Sequence, residues 1–347
     1  IQFLWPIPLK RKKDNCVVFL FSDPSDIMLK QRARSGIAAT HSDFVMIYYL
    51  SLINFIIGVL LIACGSVTQV FTELFMVDSY NVPFHTETVC QSMGIAVLTT
   101  AFLLFSAPTK FDPTERICVC SCMAIIYAII SLLFFWKLKA ATSSVGSSTA
   151  ILAAGCFALT LCGTSLWLTL RMNRQVAPDK NGTIEISSSF SRRPLSIVIS
   201  SQAFMNPVLG IVSVFYPQGF YTIPKFLFPT AKSLDISEEI GELFAIQCWG
   251  ALILGIGFIS GSIFLPPSLS AFGHDSSSSI YFSIAMMFQF SSLIVLYVAK
   301  WKSLNIVHQI GGTPVFSLMA FLYMVAIFTD VRMSHATSVK KDAPKND

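Results

Sequence analysis

Charge is what this chain has least of. Asp, Glu, Lys and Arg together make up 12% of its 347 residues, roughly half the share found in soluble domains. That scarcity excludes an ordinary soluble globular protein. The long apolar runs carry no acidic, basic or histidine residue near their middles. Ionisable groups at such depths mark proton relays, ion paths and voltage sensors. Their absence argues against a proton-coupled pump, a voltage sensor, and membrane metalloproteases or aspartyl proteases. Metal ligands are also wanting. The five histidines, His41, His85, His274, His308 and His335, are scattered outside the runs. The nine cysteines include no Cys-x-x-Cys pair, so neither a zinc site nor a thioredoxin-like centre has its ligands. No nucleophile with a partnering base can be assembled. The sequence therefore predicts no catalytic residue, no metal and no cofactor.

Apolar length is what the chain does have, with 54% hydrophobic residues. Eight runs stand out: 44–64, 89–106, 117–136, 149–170, 195–216, 243–265, 279–299 and 313–328. Runs of roughly 20 residues match about 30 Å of hydrocarbon. A membrane barrel would show short alternating strands instead. The predicted fold is an all-α integral membrane protein with eight transmembrane helices. The lipid bilayer is its first partner. The net charge of +5 reads as flanking charge that orients the spans, and no nucleic-acid partner is expected.

The polar segments divide the chain. Residues 1–43 form a basic segment with Lys10 to Lys13, Lys30, Arg32 and Arg34. The first methionine is Met28, and residues 1–27 are expected to lie outside the mature protein. Residues 71–77 are expected along the membrane interface. A basic linker, 171–194, carries Arg171, Arg174, Lys180, Arg192 and Arg193. Asp235 and Glu238 resemble a capping box that starts a helix ahead of the sixth run. Pro266 and Pro267 end that run, and residues 330–347 read as a disordered polar tail.

The linker separates two sets of four spans, 44–170 and 195–329, that echo each other. The first run carries Asn54-x-x-x-Gly58, and the fifth carries Asn206-x-x-x-Gly210. Gln91-x-x-Gly94 opens the second, and Gln247-x-x-Gly250 opens the sixth. Lys137-x-Lys139 closes the third, and Lys300-x-Lys302 the seventh. Thr149 and Phe157 match Thr313 and Phe321. The offsets are 152, 156, 163 and 164, and they only grow, as loop insertions in a second copy would require. Four is even, so both copies would share one orientation. The sequence predicts two tandem parallel four-helix repeats related by an axis along the membrane normal.

Six amides are the candidate ligand-binding residues. Asn54 and Asn206 lie near the middles of their spans, Gln91 and Gln247 at outer ends, and Gln202 and Gln289 add to the second half. Two readings stand side by side. The amides bond neighbouring helices together, or they line a site for a small neutral or lipidic molecule between the halves. Pro207 is expected to break the fifth span and free the carbonyl of Ala203, a feature of many binding sites. Gly257-x-x-x-Gly261 suits close helix contact. Cys118, Cys120 and Cys122 fit either palmitoylation or packing, and Cys64 could pair with Cys90. Two functions follow: a binder or transporter of a small neutral or lipidic molecule, or a non-catalytic structural or assembly subunit with membrane-protein partners.

Orientation comes from basic residues. Placing both termini and the 2–3, 4–5 and 6–7 loops on one side gathers 18 of the 24 Lys and Arg residues there. The positive-inside rule makes that side cytosolic. The sequon Asn181-Gly-Thr183 would then lie in the cytosol and go unused. A cysteine introduced by Thr183→Cys is expected to resist impermeant maleimide in intact cells and to react after permeabilisation. Labelling in intact cells would reverse the orientation.

Overall fold

The computed structural model describes residues 41–63, 84–111, 113–140, 145–175, 194–219, 240–264, 277–303, 309 and 312–341. Several expectations lie outside these residues: the 1–27 segment, the 71–77 interface stretch, the Asp235 capping box, the Pro266-Pro267 stop, the sequon and Cys64. The described residues form eight α-helices. They are α1 (His41–Ala63), α2 (Phe84–Lys110), α3 (Pro113–Ala140) and α4 (Val145–Gln175), then α5 (Pro194–Phe215), α6 (Ile240–Phe264), α7 (Ser277–Ala299) and α8 (Thr313–Lys341). Among the described residues there is no strand.

Each helix covers one of the apolar runs to within one residue at its C-terminal end. The ends extend into polar flanks for local reasons. Asp43, Glu87 and Glu115 sit in the first turns of α1, α2 and α3, where the helix dipole favours a carboxylate. Pro113 and Pro194 are the first residues of α3 and α5, a position that needs no N–H. Seven helices, α1 to α7, are long and apolar enough to cross a membrane, and α8 carries a shorter apolar stretch, Thr313–Thr329.

Two expectations need correction. The disordered tail expected from residue 330 is helical as far as Lys341. No Gly or Pro intervenes before Pro344, and Lys340 and Lys341 suit a helix C-terminus. Secondly, α5 runs through Pro207 without interruption. Its ring is accommodated across the interface. A Cβ at Gly257 of α6 would strike the Pro207 ring, so the missing side chain makes room for it.

The helices form an inner and an outer set. α2 packs on α6, α7 packs on α2, and α3 packs on α6. Around them α1 lies on α2, α5 on α6, α4 on α3 and α8 on α7. Smaller contacts join α1 to α4 and α5 to α8. Exchanging α1–α4 for α5–α8 in order maps these contacts onto one another and leaves α2–α6 on itself. The α2–α3 contact is the exception, with no image of comparable extent. Large apolar side chains such as Tyr49, Phe55, Phe204, Phe215 and Phe328 face outward, as lipid solvation permits.

Glycine sets the distance between outer and inner helices. A Cβ at Gly58 would lie 2.7 Å from Cγ of Leu98 and 3.0 Å from the Gly94 carbonyl oxygen. One at Gly94 would lie 2.9 Å from the Gly58 oxygen and 3.0 Å from Cβ of Leu61. On the α5–α6 side, a Cβ at Gly210 would lie 2.6 Å from Cβ and 2.7 Å from Cα of Leu254. One at Gly250 would strike Cβ of Ser213 and lie 3.1 Å from the Gly210 oxygen. Leu98 and Leu254 share the offset of Gln91 and Gln247, and Leu61 and Ser213 that of Asn54 and Asn206. Gly261 adds an approach to Ala203, whose Cβ would lie 3.8 Å away.

Gly210→Ala forces a methyl into the Leu254 backbone, which cannot rotate aside. The expected cost is about 1–3 kcal/mol, the range for overpacking. Gly163 faces outward with nothing within 4 Å of its added Cβ. Gly163→Ala is expected to be neutral or to stabilise by up to about 1 kcal/mol. Thermal melts in detergent check both, and equal shifts would contradict the proposed role of the Gly210 contact.

Candidate functional site

The inward stripe of α1 is Ile47, Leu50, Ser51, Asn54 and Gly58, spaced by three and four residues as a helix face requires. It carries Asn54 into the bundle, where 1% of the residue is exposed. The Asn54 Nδ2 donates to the Leu50 carbonyl at 2.7 Å and to the Tyr127 hydroxyl on α3. Both amide hydrogens are thereby used. Ser51, on the same stripe, donates to the Ala101 carbonyl of α2 at 2.7 Å.

The inward stripe of α5 is Ile199, Gln202, Asn206, Gly210 and Ser213. Here Asn206 Nδ2 donates to Gln202 Oε1 at 3.1 Å, a bond within one helix. Among the described residues neither amide reaches a second helix. The offset that pairs Lys137 with Lys300 pairs Tyr127 with Phe290, which has no hydroxyl. On α7, Gln289 is 3% exposed and its Oε1 has no partner among the described residues. On α8, Tyr323 is wholly buried with its hydroxyl likewise unpartnered. Its ring stacks on Phe290 at 6.2 Å between centroids.

Gln91 and Gln247 do a different job. Gln91 Nε2 donates to the Ile62 carbonyl at 3.3 Å and to Glu87 Oε1 at 3.3 Å. Gln247 Nε2 donates to the Val214 carbonyl at 2.9 Å. Ile62 and Val214 lie in the last turns of α1 and α5, where carbonyls have no partner in their own helix. Each glutamine caps the end of the neighbouring helix.

Apart from Asn206 with Gln202, the amides make separate hydrogen bonds among the described residues. No hydrogen bond among the described residues joins Asn54 to Asn206. Asn54 has Tyr127, Asn206 has Gln202, the two outer glutamines cap helix ends, and Gln289 stands with an open acceptor. The arrangement can hold neutral hydrogen-bonding groups and offers no charge to an ion. Among the described residues, no three His, Cys, Asp or Glu side chains are grouped to hold a metal.

Charged groups concentrate at the two ends of the bundle. At one end, Arg171 Nε meets Asp43 Oδ1 at 2.8 Å, with the Asp43 side chain fully buried. Arg171 also donates to Ser42 at 2.9 Å and lies over the Trp167 ring. At the other end, Lys300 Nζ meets Glu87 Oε1 at 2.7 Å, joining α7 to α2. Lys137, the lysine of matching register, lies instead over the Phe244 ring of α6, 5.0 Å from its centroid. A cation above a ring face is held by the ring's quadrupole.

Sequence reasoning missed Tyr127 and Tyr323 and left the edge charges unpaired. A hydroxyl in mid-span was the available signal for the tyrosines. Opposite charges at span ends on one side were the signal for the ion pairs. Cys118, Cys120 and Cys122 are all buried in the core, in keeping with packing. Cys90 is buried and makes no disulfide among the described residues.

Compared with protein-family models, with curated proteins and with solved structures, the chain matches none. The functional reading rests on its own residues. Tyr127→Phe removes one oxygen and the only interhelical partner of Asn54 among the described residues. It is expected to lower stability by about 0.6–2 kcal/mol, the range for one interhelical bond in a membrane. An unchanged melt would show that this bond contributes nothing.

Proposed function

We propose that the chain is an eight-span membrane protein that binds or transports a small neutral or lipidic molecule. In this reading its spans form two tandem parallel four-helix repeats, 44–170 and 195–329, joined by a cytosolic linker, with both termini cytosolic. The duplication is supported by the paired glycine contacts and by the two glutamine caps. Gln91 to Ile62 and Gln247 to Val214 are the same bond at the same offsets. The eighth span would be the apolar part of α8, Thr313–Thr329, which reaches the lower limit of about 17 residues for crossing. The proposed orientation puts the Asp43–Arg171 pair on the cytosolic side and the Glu87–Lys300 pair on the other.

One observation carries the neutral-ligand reading. Side chains buried at mid-helix are amides and hydroxyls without formal charge, and Gln289 and Tyr323 retain unmet hydrogen-bonding capacity. Buried polar groups are mostly satisfied; Gln91, Ser165, Ser200 and Thr313 also carry an unpartnered buried oxygen among the described residues, and the reading rests on these neutral groups together. The reading assigns the protein no catalytic step and no cofactor. A second reading, an assembly subunit, draws on α4. Gly163, exposed and open, stands beside Thr160 and Thr164, and small residues allow another helix to approach.

Purification in mild detergent separates the two readings. The binder is expected as a monodisperse lone chain carrying neutral lipid detectable by mass analysis. A stoichiometric complex with other membrane proteins and no retained lipid would overturn it. Asn206→Leu sharpens the test. If the amides line the site, lipid-dependent stabilisation disappears while the empty protein melts nearly unchanged. If they only join helices, stability falls by about 1 kcal/mol with or without lipid.

A further inference from the structure

The start of α1 and the end of α4 meet at Arg171, and the side chains there face two ways. Asp43, in the first turn of α1, is fully buried and takes the Arg171 Nε at 2.8 Å. Ser42, one residue earlier, is exposed and accepts from Arg171 Nη2 at 2.9 Å. The guanidinium carbon lies over the Trp167 ring, 5.0 Å from its centroid. Trp167 is 45% exposed, and the Arg171 side chain 34%. Arg174 is exposed in the last turn of α4. It shares a face with Trp167 and Arg171, because steps of three, four and seven residues return a helix to one side. One turn deeper the same face passes Gly163, where an added Cβ would meet nothing within 4 Å. One outer surface thus carries two guanidiniums, a hydroxyl and an indole above an open, apolar stretch of helix.

We propose that this surface holds the phosphate of an anionic phospholipid from the surrounding leaflet, with an acyl chain laid along α4 past Trp167 and Gly163. Charge complementarity selects that occupant. The planar guanidinium fork matches phosphate oxygens, and the Asp43 pair fixes Arg171 in place before any lipid arrives. Asp43 offsets one of the two positive charges, and Arg174 leaves the surface net positive. The first turn of α1, beside Ser42, favours an anion as well. Tryptophan side chains settle at headgroup level, which sets the two arginines at the depth of the phosphates. Any exposed apolar helix meets acyl chains; the arginines decide which headgroup sits above them. A zwitterionic headgroup brings its own ammonium, which the guanidiniums disfavour. The second half lacks the arrangement. The offsets put Val331, His335 and Ser338 at the places of Trp167, Arg171 and Arg174, and Pro194 at that of Ser42. The surface lies outside the bundle, so it is independent of any ligand held between the halves. The proposed orientation places it in the cytosolic leaflet, where anionic lipid concentrates.

The test uses the full chain in nanodiscs of phosphatidylcholine, alone or with part of it replaced by phosphatidylserine. Retained lipid is counted by native mass spectrometry after release into detergent, and Tm is measured in both discs. The unaltered chain is expected to keep phosphatidylserine in preference, to melt higher in its presence, and to show less of both effects at high salt. Arg171→Gln would strand the buried Asp43 and could unfold the protein. Arg174→Gln leaves that pair intact. It is expected to cut phosphatidylserine retention about fivefold, the effect of one basic residue near an anionic surface, with the Tm in phosphatidylcholine unchanged. Ser42→Ala is expected to cut retention about twofold, as a weak hydrogen bond would. Lys302→Gln removes the same charge from an exposed residue just beyond α7, at the other end of the bundle, and is expected to leave retention as it was. Equal retention of the two lipids by the unaltered chain overturns the proposal. So does a preference that Arg174→Gln leaves unchanged, or one that Arg174→Gln and Lys302→Gln reduce alike, which net charge alone explains. A stoichiometric protein partner seated on α4 that excludes phosphatidylserine overturns it too. The neutral-ligand reading stands or falls separately, on retained neutral lipid.

Discussion

The contact on which the bundle depends is backbone against backbone at the glycines. Gly58 meets Gly94 on one side, and Gly210 meets Leu254 and Gly250 on the other. Lipid tails solvate apolar side chains as well as neighbouring helices do, so burial alone does not draw helices together in a bilayer. Close packing must do it, and close packing needs the missing side chains. Several other features follow from that distance. Gln91 and Gln247 can reach across to the last-turn carbonyls of Ile62 and Val214. Ser51 can reach the Ala101 carbonyl. Pro207 finds space at Gly257, and α5 continues through it.

With the outer helices held this way, polar groups are distributed by depth. Charges stay at the ends, several of them partnered: Asp43 with Arg171, Glu87 with Lys300, Lys137 with the Phe244 ring. Mid-depth positions carry neutral groups, whose burial costs far less than that of ions. Most of these bond back to a carbonyl of their own helix, as Ser92, Thr99 and Ser260 do. Asn54 and Tyr127 bridge two helices. The Tyr323 hydroxyl and Gln289 Oε1 do neither among the described residues.

The proposed duplication explains both the likeness and the departure. Interfaces between neighbouring helices would change slowly, because a glycine contact tolerates no added atom. The glycine and glutamine correspondences keep their offsets accordingly. Positions that face across the bundle have more freedom. Tyr127 and Phe290 differ by a hydroxyl, and the two matching lysines find different partners, a ring for Lys137 and a carboxylate for Lys300.

Composition and run length by themselves determined that the chain is helical and apolar enough for a membrane, and where seven long helices would fall. These are local properties: about 20 residues without charge read the same whatever surrounds them. The spacing of Asn54 with Gly58 and of Gln91 with Gly94 was also legible, since it lies within single helices. Partners were not. Asn54 and Tyr127 are 73 residues apart, and no pattern along the chain says that α1 touches α3 at that level. Pro207 looked like a break because the sequence shows the lost N–H but not the packing around α5. The helical residues past Thr329 looked like a tail because polarity was visible and continuity was not. Which amides are satisfied and which remain open depends on side chains brought together from different helices, and only the packed bundle decides that.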